Sequence, residues 1–548
     1  MLDLWYKNAV IYCIDVETFM DGNNDGIGDF EGLISRLDYI AGLGINCIWL
    51  MPFYPTPNRD NGYDITDYYS VDPRLGSLGD FAEFIRQASD RGIRVIVDLV
   101  INHTSIDHPW FQAACKDKNS KYKNFYVWSK EKPADAEDGI VFPGYQDSTW
   151  TYNEEAGEYY FHRFFKYQAD LNVGNPEVWE ELYKVMGFWL ELGISGFRVD
   201  AVPFLIELKG IEARTDVDDP YDYLRQMRDF LSWRRGDAII LAEANVSMDI
   251  IPKYFGDGDK MQLLFGFLVN QYLMLAIARE EAEPLAKGLK ALPEIPAIGQ
   301  WANFIRNHDE LSLDKLSDQE QDEILQKFHQ NKDEVWIYDR GLRRRFPPLV
   351  DGDRRRVQLA YSLMFTLPGT PVLNSGEEIG MGDDLSLEQR AASRTPMQWS
   401  AAANGGFSKA PASDLIRPVI SDGKYGYPEV NVIGQRQDPN SLLNWMERAI
   451  RMRKECPEIG WGDWEQIETD NPSVFAHRCC WRGGEFVAVH NFSKEACSVC
   501  LRLDSRSEQK QWFDLLADRA YEPIAAPDTK IDLESYGYRW FRVGGERL

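Results

Sequence analysis

The chain has 548 residues, of which 44% are hydrophobic and 27% charged, and its formal net charge is -27. This length exceeds one ordinary domain, and the apolar content is sufficient for a large folded core. The negative charge argues against nucleic acid or an anionic membrane as a partner, and no apolar run reaches the roughly 18 residues that a membrane helix needs.

Short apolar runs alternate with amphipathic stretches along most of the chain. Eight strands are predicted, in "AVIYCIDVETF", "INCIWLMPFY", "RVIVDLVINH", "SGFRVDAV", "AIILAEAN", "LLFGFLV", "WANFIRNHDE" and "TPVLNSGEE". Helices are predicted between them, for example in "LGDFAEFIRQASDRG" and "VWEELYKVMGFWLELG", and several end in glycine as helix C-caps do. Eight strands alternating with helices predict an α/β fold, the closed parallel (β/α)8 or TIM barrel.

Two regions depart from this repeat. Residues 104–172 follow the third predicted strand and are too long for a loop, so we expect a small inserted domain beside the barrel mouth. From about residue 462 to 548 the pattern changes to short alternating runs such as "EFVAVHNF" and "YRWFRV", which predict an antiparallel β-sandwich. The barrel is thus expected over residues 1–103 and 173–461.

The N-terminus and the cysteines bear on the compartment. "MLDLWYKNAV" has no cationic region followed by an apolar one, so no signal peptide is expected. Cys497 and Cys500 form a CxxC pair without a second half for a zinc site, and on a strand they point to opposite faces. Reduced thiols and a cytoplasmic location are the simplest expectation.

Polar residues stand at the carboxyl ends of the predicted strands, where barrels of this type carry their active sites. They are Asn102 and His103 after strand three, Arg198 and Asp200 in strand four, Glu243 after strand five, and His308 and Asp309 after strand seven. Taken singly, each is explained as a helix cap or a salt-bridge partner. So many polar residues at the same end of neighbouring strands favour a functional site over a structural network.

Glycosidic bond cleavage is the chemistry that requires this set. Two carboxyl groups about 5–5.5 Å apart act as nucleophile and acid/base and retain the anomeric configuration. Arg198 and Asp200 are two residues apart on a strand, so they share a face, and Arg198 is expected to lower the pKa of Asp200 and keep it ionised. Glu243 has apolar neighbours that raise the pKa of an acid. Asp309 and the histidines are expected to hold sugar hydroxyls.

Four of these segments resemble signature regions of a known family. "DLVINH", "GFRVDAV", "ILAEAN" and "FIRNHD" are similar to the four regions of the α-amylase family, glycoside hydrolase family 13. The resemblance covers the whole chain. It implies Asp200 as nucleophile, Glu243 as acid/base and Asp309 as transition-state stabiliser. It further implies three sugar-binding residues, namely His103, Arg198 and His308.

Within that family, "DGNNDGIGDFEGL", "QADLNVGNPEV" and "SRTPMQWS" look like segments of the trehalose synthases. The resemblance implies that Tyr63 of "GYD" stacks on bound glucose and that Asp64 binds its outer hydroxyls. In exo-acting relatives that Asp pairs with the arginine of "RTPMQW", here Arg394, which closes the pocket beyond one glucose. The alternative for Asp64 is a turn residue, because "NGYD" is also a good turn.

The predicted function is that of a retaining enzyme on short α-glucosides that interconverts maltose and trehalose through a covalent β-glucosyl-Asp intermediate. "EANVSMD" and "VLNSGEE" depart from the synthases near the second sugar, so hydrolysis of, or transfer from, maltose, trehalose or sucrose is the alternative. A non-catalytic amylase-like binding partner is the alternative of another class. No organic cofactor is expected, and the sequence leaves open whether the chain forms a homo-oligomer.

One segment matches the first nine positions of a calcium loop. "DGNNDGIGD" supplies oxygens from Asp21, Asn23, Asp25, the Ile27 carbonyl and Asp29, with Gly26 at the sharp turn. Position twelve is Gly32 in place of Glu, and an Asp/Gly-rich surface turn is the alternative. The family resemblance implies structural Ca²⁺, or Mg²⁺, in this loop. It also implies a second site on Asn102 and Asp170, with Glu207 nearby.

Overall fold

The computed structural model describes residues 4–207, 219–502, 511–524 and 530–544. Its centre is a closed barrel of eight parallel strands, with neighbours in the order β1-β8-β7-β6-β5-β4-β3-β2. Seven strands lie within the predicted runs and the other begins one residue before its run, at Gln300, so the predicted barrel is confirmed. The strands are β1 (Ile11–Ile14), β2 (Cys47–Leu50), β3 (Arg94–Leu99), β4 (Gly196–Val199), β5 (Ile239–Ala242), β6 (Leu263–Phe265), β7 (Gln300–Asn303) and β8 (Thr370–Asn374).

Amphipathic helices surround the barrel. Leu78–Asp90 begins at a capping box formed by Ser77 and Asp80 and buries Phe81 and Phe84, whose rings pack on Phe30. No helix within the described ranges is both long and apolar enough to cross a membrane. The other main barrel helices are Phe30–Ser35, Leu37–Leu43, Pro176–Glu191, Asp222–Arg234, Ile251–Phe255, Phe267–Arg279, Glu283–Lys290, Asp318–Lys327, Arg354–Thr366, Val432–Gln437, Leu442–Lys454 and Pro457–Trp461.

The insertion after β3 is a small domain, as predicted. Its ends are held together because His103–Ser105 pairs antiparallel with Gln168–Asp170. Between them lie helix Pro109–Lys116 and a three-stranded antiparallel sheet of Trp128–Ser129, Glu158–Phe161 and Trp150–Asn153. This pairing anchors the domain at the carboxyl end of β3, beside the barrel mouth.

The C-terminal region is the predicted antiparallel sandwich, and its described residues form seven hydrogen-bonded strands. Residues from both layers, among them Val487 and Ile531, form a separate core. Two strands were not predicted, because "DWEQIET" is mostly polar and "KIDL" is short. The strands are β9 (Asp463–Thr469), β10 (Val474–Trp481), β11 (Gly484–Asn491), β12 (Cys497–Arg502), β13 (Trp512–Ala517), β14 (Lys530–Leu533) and β15 (Tyr538–Val543).

The cysteines form no disulfide bond within the described residues, and five of the eight are buried. Cys497 and Cys500 lie on β12, where residues alternate between the core and the surface. The two side chains therefore point to opposite faces and do not form a metal half-site.

Candidate active site

Arg198 on β4 is the centre of a cluster of three carboxylates. Its guanidinium, only 1% exposed, donates to Asp98 at 2.8 Å, to Asp200 at 2.6 Å and to Glu243 at 2.5 Å. β4 lies between β3 and β5, so the three acids reach one cation from three adjacent strands. A buried cation is costly unless it is paired, and here the pairing holds Asp200 and Glu243 against the two ends of one planar group.

Asp98 is a member of this cluster that was not predicted. It is fully buried, lies beside Arg198 in the β3–β4 register, and also accepts from Trp49 Nε1 at 3.2 Å and Tyr63 Oη at 3.1 Å. The only signal in the sequence is one acid inside the apolar run "RVIVDLV". The partner could not be inferred, because strand register is set by tertiary packing.

Asp200 and Glu243, the two carboxylates of the Arg198 cluster that line the cavity described below, have raised pKa values. Burial raises the pKa of Asp200 to about 6, although Arg198 lowers it. Burial likewise raises the pKa of Glu243 to about 7, against the lowering effect of Arg198. The raised value for Glu243 was expected, but the net lowering expected for Asp200 was wrong, because desolvation outweighs its ion pair.

A strained turn presents Asp200 to the cavity. β4 ends at Val199, and Ala201 adopts φ 48° and ψ 41°, the left-handed region that non-glycine residues rarely occupy. The Ala201 amide lies 3.4 Å from Glu243 Oε2, and the Val202 amide donates to the Glu243 carbonyl at 3.2 Å. These contacts stabilise the turn and couple Asp200 to Glu243.

Asp309 lies in the long loop after β7, which ends at Asn303. The strand is therefore shorter than the predicted run "WANFIRNHDE", and Asp309 lies beyond its end. Its Oδ1 contacts Arg390 at 2.8 Å and Arg394 at 3.0 Å. Burial alone raises the pKa of Asp309, but Arg390, His308 and Arg394 together lower it below its usual range, so this carboxylate stays ionised. Arg390 was not predicted, because nothing in "LEQRAAS" indicates its partners.

Tyr63 joins the two predicted sugar-binding histidines. Its hydroxyl lies 2.8 Å from His308 Nε2, and the two rings are stacked with centroids 5.8 Å apart. His103 Nε2 lies 3.1 Å from the Tyr63 carbonyl. Tyr63 thereby connects both histidines to Asp98, which accepts from its hydroxyl.

These residues surround a cavity of about 270 Å³ at the carboxyl ends of the strands. This is near the lower end of the range for small-molecule sites, roughly 300–1,000 Å³. Of the predicted site residues, Tyr63, His103, Asp200, Glu243 and Asp309 line it. The inserted domain contributes lining residues that were not predicted individually, namely Val141, Phe142, Phe164 and Gln168.

The expected pair of Asp64 with Arg394 is not made. Asp64 is fully buried, and its carboxylate accepts from the Thr56 hydroxyl at 2.8 Å and from the backbone amides of Arg59 and Asp60 at 3.3 Å. It therefore stabilises the turn, which was the alternative. Arg394 instead donates to Asp309 and, at 2.7 Å, to the His308 carbonyl.

Asp60 is the carboxylate of this loop that lines the cavity. It accepts from Gln168 Nε2 at 2.8 Å. Burial raises the pKa of Asp60 to about 6, and the nearby Arg390 and Arg394 lower it. Asp60, and not the predicted Asp64, is therefore the carboxylate of this loop that faces the cavity.

Comparison with known proteins identifies the family. The model of the alpha-amylase catalytic domain matches residues 13–462. The chain belongs to the α-amylase family. A model of the sucrose hydrolase-like C-terminal domain matches residues 483–542. With trehalose synthases and oligo-1,6-glucosidases among its relatives, this α-amylase family protein is an enzyme of the glucosidase, transferase or isomerase type.

Among the relatives of this α-amylase family enzyme is the trehalose synthase of Thermus thermophilus, 42% identical over 98% of the chain and 56% of that protein. The trehalose synthase of Pimelobacter sp. (strain R48) is 38% identical over 98% of the chain and 96% of its own length. The crystal structure of the trehalulose synthase MutB from Pseudomonas mesoacidophila MX-45 superposes with a TM-score of 0.78 at 25% identity, covering 98% and 99% of the two chains.

The predicted calcium loop is held by its own hydrogen bonds. Asp21 accepts from the amides of Asn24 at 2.6 Å and Gly26 at 2.8 Å, and Asp29 accepts from the amide of Gly32 at 2.6 Å. The described residues contain no group of three or more His, Cys, Asp or Glu side chains placed to hold a metal. Asp21 and Asp29 are thus satisfied without an ion, and calcium in this loop stays a prediction.

At the second predicted metal site, the candidate ligands form hydrogen bonds with other residues of the chain. Asp170 accepts from Asn102 Nδ2 at 3.2 Å and from the Arg163 amide at 2.8 Å. Glu207, the expected neighbour, is bound at both oxygens by the Arg163 guanidinium at 2.8 Å. An arginine therefore supplies the positive charge beside Glu207, and a cation on Asn102 and Asp170 also stays a prediction.

Proposed function

We propose that the chain is a retaining enzyme that interconverts maltose and trehalose through a covalent glucosyl intermediate on Asp200. The observation that supports this most is the contact of Asp200 and Glu243 with one guanidinium, which holds the two carboxyl groups near each other. Such proximity suits a nucleophile and an acid/base, whereas inverting enzymes leave room for a water between wider-spaced carboxyls.

In the first step, an ionised Asp200 attacks the anomeric carbon of the non-reducing glucose. The bond from that carbon to the leaving oxygen breaks as Glu243 gives this oxygen its proton. Between pH 6 and 7 the pKa values of about 6 for Asp200 and about 7 for Glu243 favour the required protonation states. The products are a glucosyl ester of Asp200 and a free glucose held in the cavity.

In the second step, the anomeric hydroxyl of the free glucose attacks the glucosyl ester. Glu243 accepts the proton of that hydroxyl, and the ester bond to Asp200 breaks, which releases trehalose and restores both carboxyls. Water in place of the glucose gives hydrolysis, so the outcome depends on retention of the free sugar. The phenylalanines of the inserted domain, Phe142 and Phe164, cover this space on one side.

Asp309 is proposed to stabilise the oxocarbenium-like transition state. Its pKa is lowered by Arg390, His308 and Arg394 against the effect of burial, so it stays negatively charged throughout the reaction. A fixed negative charge is most effective where positive charge develops in a site shielded from water. Tyr63, His103 and His308 are proposed to bind the glucose whose linkage is broken.

The partner in this scheme is a small α-glucoside. The trehalose synthases among the relatives cover the full chain, which supports an acceptor that is itself glucose. We further propose, from the acidic charge and the free cysteines, that the enzyme acts in the cytoplasm without nucleic acid or membrane partners.

Product analysis tests the proposal. The chain is incubated separately with maltose, trehalose and sucrose, and the sugars are resolved over time. We expect trehalose to form from maltose and maltose from trehalose, with little free glucose. Asp200→Asn is the control, with an expected loss of at least ~10⁴-fold in kcat and an unchanged Tm. If glucose is the only product from maltose, the chain is a hydrolase and the proposed synthase activity is wrong. Full activity in Asp200→Asn would refute the assignment of Asp200 as the nucleophile.

A further inference from the structure

Arg417 links three segments behind the part of the cavity that Asp60 lines. Its side chain is 14% exposed, and its guanidinium donates to Glu17 Oε1 at 2.6 Å, to the Arg394 carbonyl at 3.0 Å and to Asn61 Oδ1. These partners come from the loop after β1, the segment after β8 and the loop after β2. We call the Asp60 side of the cavity, backed by Arg394, the Asp60 end.

The acid bound by Arg417 is itself buried. The Glu17 side chain is 5% exposed, and its other oxygen accepts from Asn58 Nδ2 at 2.9 Å and lies 3.5 Å from Arg74. Asp15, which lies 3.5 Å from Arg417, accepts from Asn61 Nδ2 at 3.1 Å. Both groups of the Asn61 side chain are therefore occupied, the oxygen by Arg417 and the amide by Asp15.

Arg417 contacts the loop that carries two residues facing the cavity, Asp60 and Tyr63. Asn61 is the direct neighbour of Asp60 and lies two residues before Tyr63, and both of these line the cavity. Arg394, whose carbonyl accepts from Arg417, places its own guanidinium on Asp309. The position of Asp60 relative to Arg394 thus depends on Arg417, which belongs neither to the loop of Asp60 nor to the segment of Arg394.

We propose that Arg417 is a positioning residue that holds the Asp60 end closed, so that the enzyme accepts one terminal glucose and rejects glucan chains that continue beyond it. This inference rests on the proposed function, since it specifies the substrate of the same site. Arg417 lies more than 350 residues from Asn61 in the sequence, so the closure is a tertiary contact.

Loss of the guanidinium has two effects. Asn61 and the Arg394 carbonyl lose their common donor, so the loop of Asp60 and Tyr63 is no longer fixed against the segment of Arg394. Glu17 also loses its closest cation and remains buried beside Arg74, which destabilises the fold. Arg417→Leu produces both effects, whereas the double variant Glu17→Gln/Arg417→Leu removes the buried charge of Glu17 that the single variant leaves without Arg417.

The experiment compares two chromogenic substrates. The first is 4-nitrophenyl α-glucoside, and the second is 4-nitrophenyl α-maltoside with its terminal glucose blocked at O4 and O6, which is cleaved only if a sugar fits beyond the Asp60 end. For Arg417→Leu and the double variant we expect the KM of the glucoside to rise at least ~10-fold with kcat within ~3-fold. The ratio of kcat/KM for the blocked maltoside to that for the glucoside should rise at least ~5-fold.

Arg279→Leu is the matched control. Arg279 makes two hydrogen bonds to Glu323, at 3.0 and 2.8 Å, on the outer surface of the barrel, and its side chain is 27% exposed. We expect it to lower Tm without changing the KM or the substrate ratio. If Arg417→Leu and the double variant also lower only Tm, Arg417 is a purely structural residue and the inference is overturned.

Glucose binding, measured by calorimetry, separates this inference from the proposed function. If the unmodified chain binds glucose but turns over no glucoside, the proposed function fails while the role of Arg417 is still tested. In that case a dissociation constant for glucose that is at least ~10-fold higher in the double variant than in the unmodified chain supports the positioning role. Equal constants overturn it. If the unmodified chain neither binds glucose nor turns over any glucoside, both proposals fall.

Discussion

Asp60 and Asp64 lie four residues apart in one loop and have different roles because of their surroundings. The Asp64 carboxylate accepts hydrogen bonds from one hydroxyl and two backbone amides, and all three donors belong to the same loop. The Asp60 carboxylate faces the cavity and has Gln168 as its hydrogen-bond partner. The local sequence does not distinguish the two roles, because the packing of the loop decides which carboxylate faces the cavity.

Substitution of each aspartate separates binding from folding. Asp60→Ala should raise the KM for maltose roughly 10- to 100-fold and leave Tm unchanged, since it removes a group that faces the substrate. Asp64→Ala should lower the free energy of unfolding by about 1–3 kcal/mol, since it leaves the Thr56 hydroxyl and two amides without an acceptor. Steady-state kinetics and urea unfolding measure the two effects. The opposite assignment would be correct if Asp64→Ala changed the KM and Asp60→Ala changed only the stability.

The loop of residues 21–29 is stabilised by a second element as well as by its own turns. The segment of residues 407–416 covers it, with hydrogen bonds from the Asp21 amide to the Phe407 carbonyl at 3.1 Å and from the Ile416 amide to the Gly26 carbonyl at 3.0 Å. Gly26 has φ 97°, and a Cβ there would lie 2.2 Å from the Asp414 carbonyl oxygen. The close approach of these two segments therefore requires glycine at this position.

Calcium binding to this loop is tested by the stability of the whole chain. If the ion binds, 1 mM Ca²⁺ should raise Tm by a few degrees over the same protein in a chelator, because a ligand of the folded state stabilises it by mass action. Asp25→Ala should abolish this shift, since Asp25 is an exposed residue of the loop and the change leaves the core intact. Equal Tm values with and without Ca²⁺ would show that the hydrogen bonds alone hold the loop.

The sandwich docks on the barrel through a buried pair of histidines. His477 Nε2 lies 2.9 Å from the Thr366 carbonyl, and His490 Nε2 lies 2.8 Å from the Ser362 hydroxyl, both partners being on helix Arg354–Thr366. The two rings are parallel with centroids 6.3 Å apart, and neither Nδ1 atom has a hydrogen-bond partner. A proton on either ring would place a charge in this interface.

This interface should make the whole molecule sensitive to acid. Burial lowers the pKa of His477 to about 4 and lowers that of His490 well below its usual value. Above pH ~6.5 both rings are neutral in the folded and unfolded states, so the full stability is present. As the pH falls from ~6.5 toward 4, the unfolded chain binds protons that the folded one does not, and stability is lost, on the order of 3 kcal/mol for His477 alone.

Urea unfolding at pH 7 and pH 5 measures this loss. His477→Gln, in which the amide still donates to the Thr366 carbonyl, should lose less stability on acidification than the unmodified protein. His329→Gln, at an exposed position, is the control and should behave like the unmodified protein. An equal pH dependence in all three proteins would mean that other groups control acid stability.

The sequence by itself determined the eight barrel strands, the insertion, the sandwich and the acids that follow β4 and β5, because hydrophobic periodicity and strand ends are local properties of the chain. Only the tertiary structure decided that Asp98 joins Arg198, that Asp60 and not Asp64 lines the cavity, and that Arg417 reaches Glu17. It also decided that burial outweighs the ion pair of Asp200 in setting its pKa. The physical reason is that register, desolvation and contacts between distant loops are properties of the packed molecule and are not encoded in any single segment.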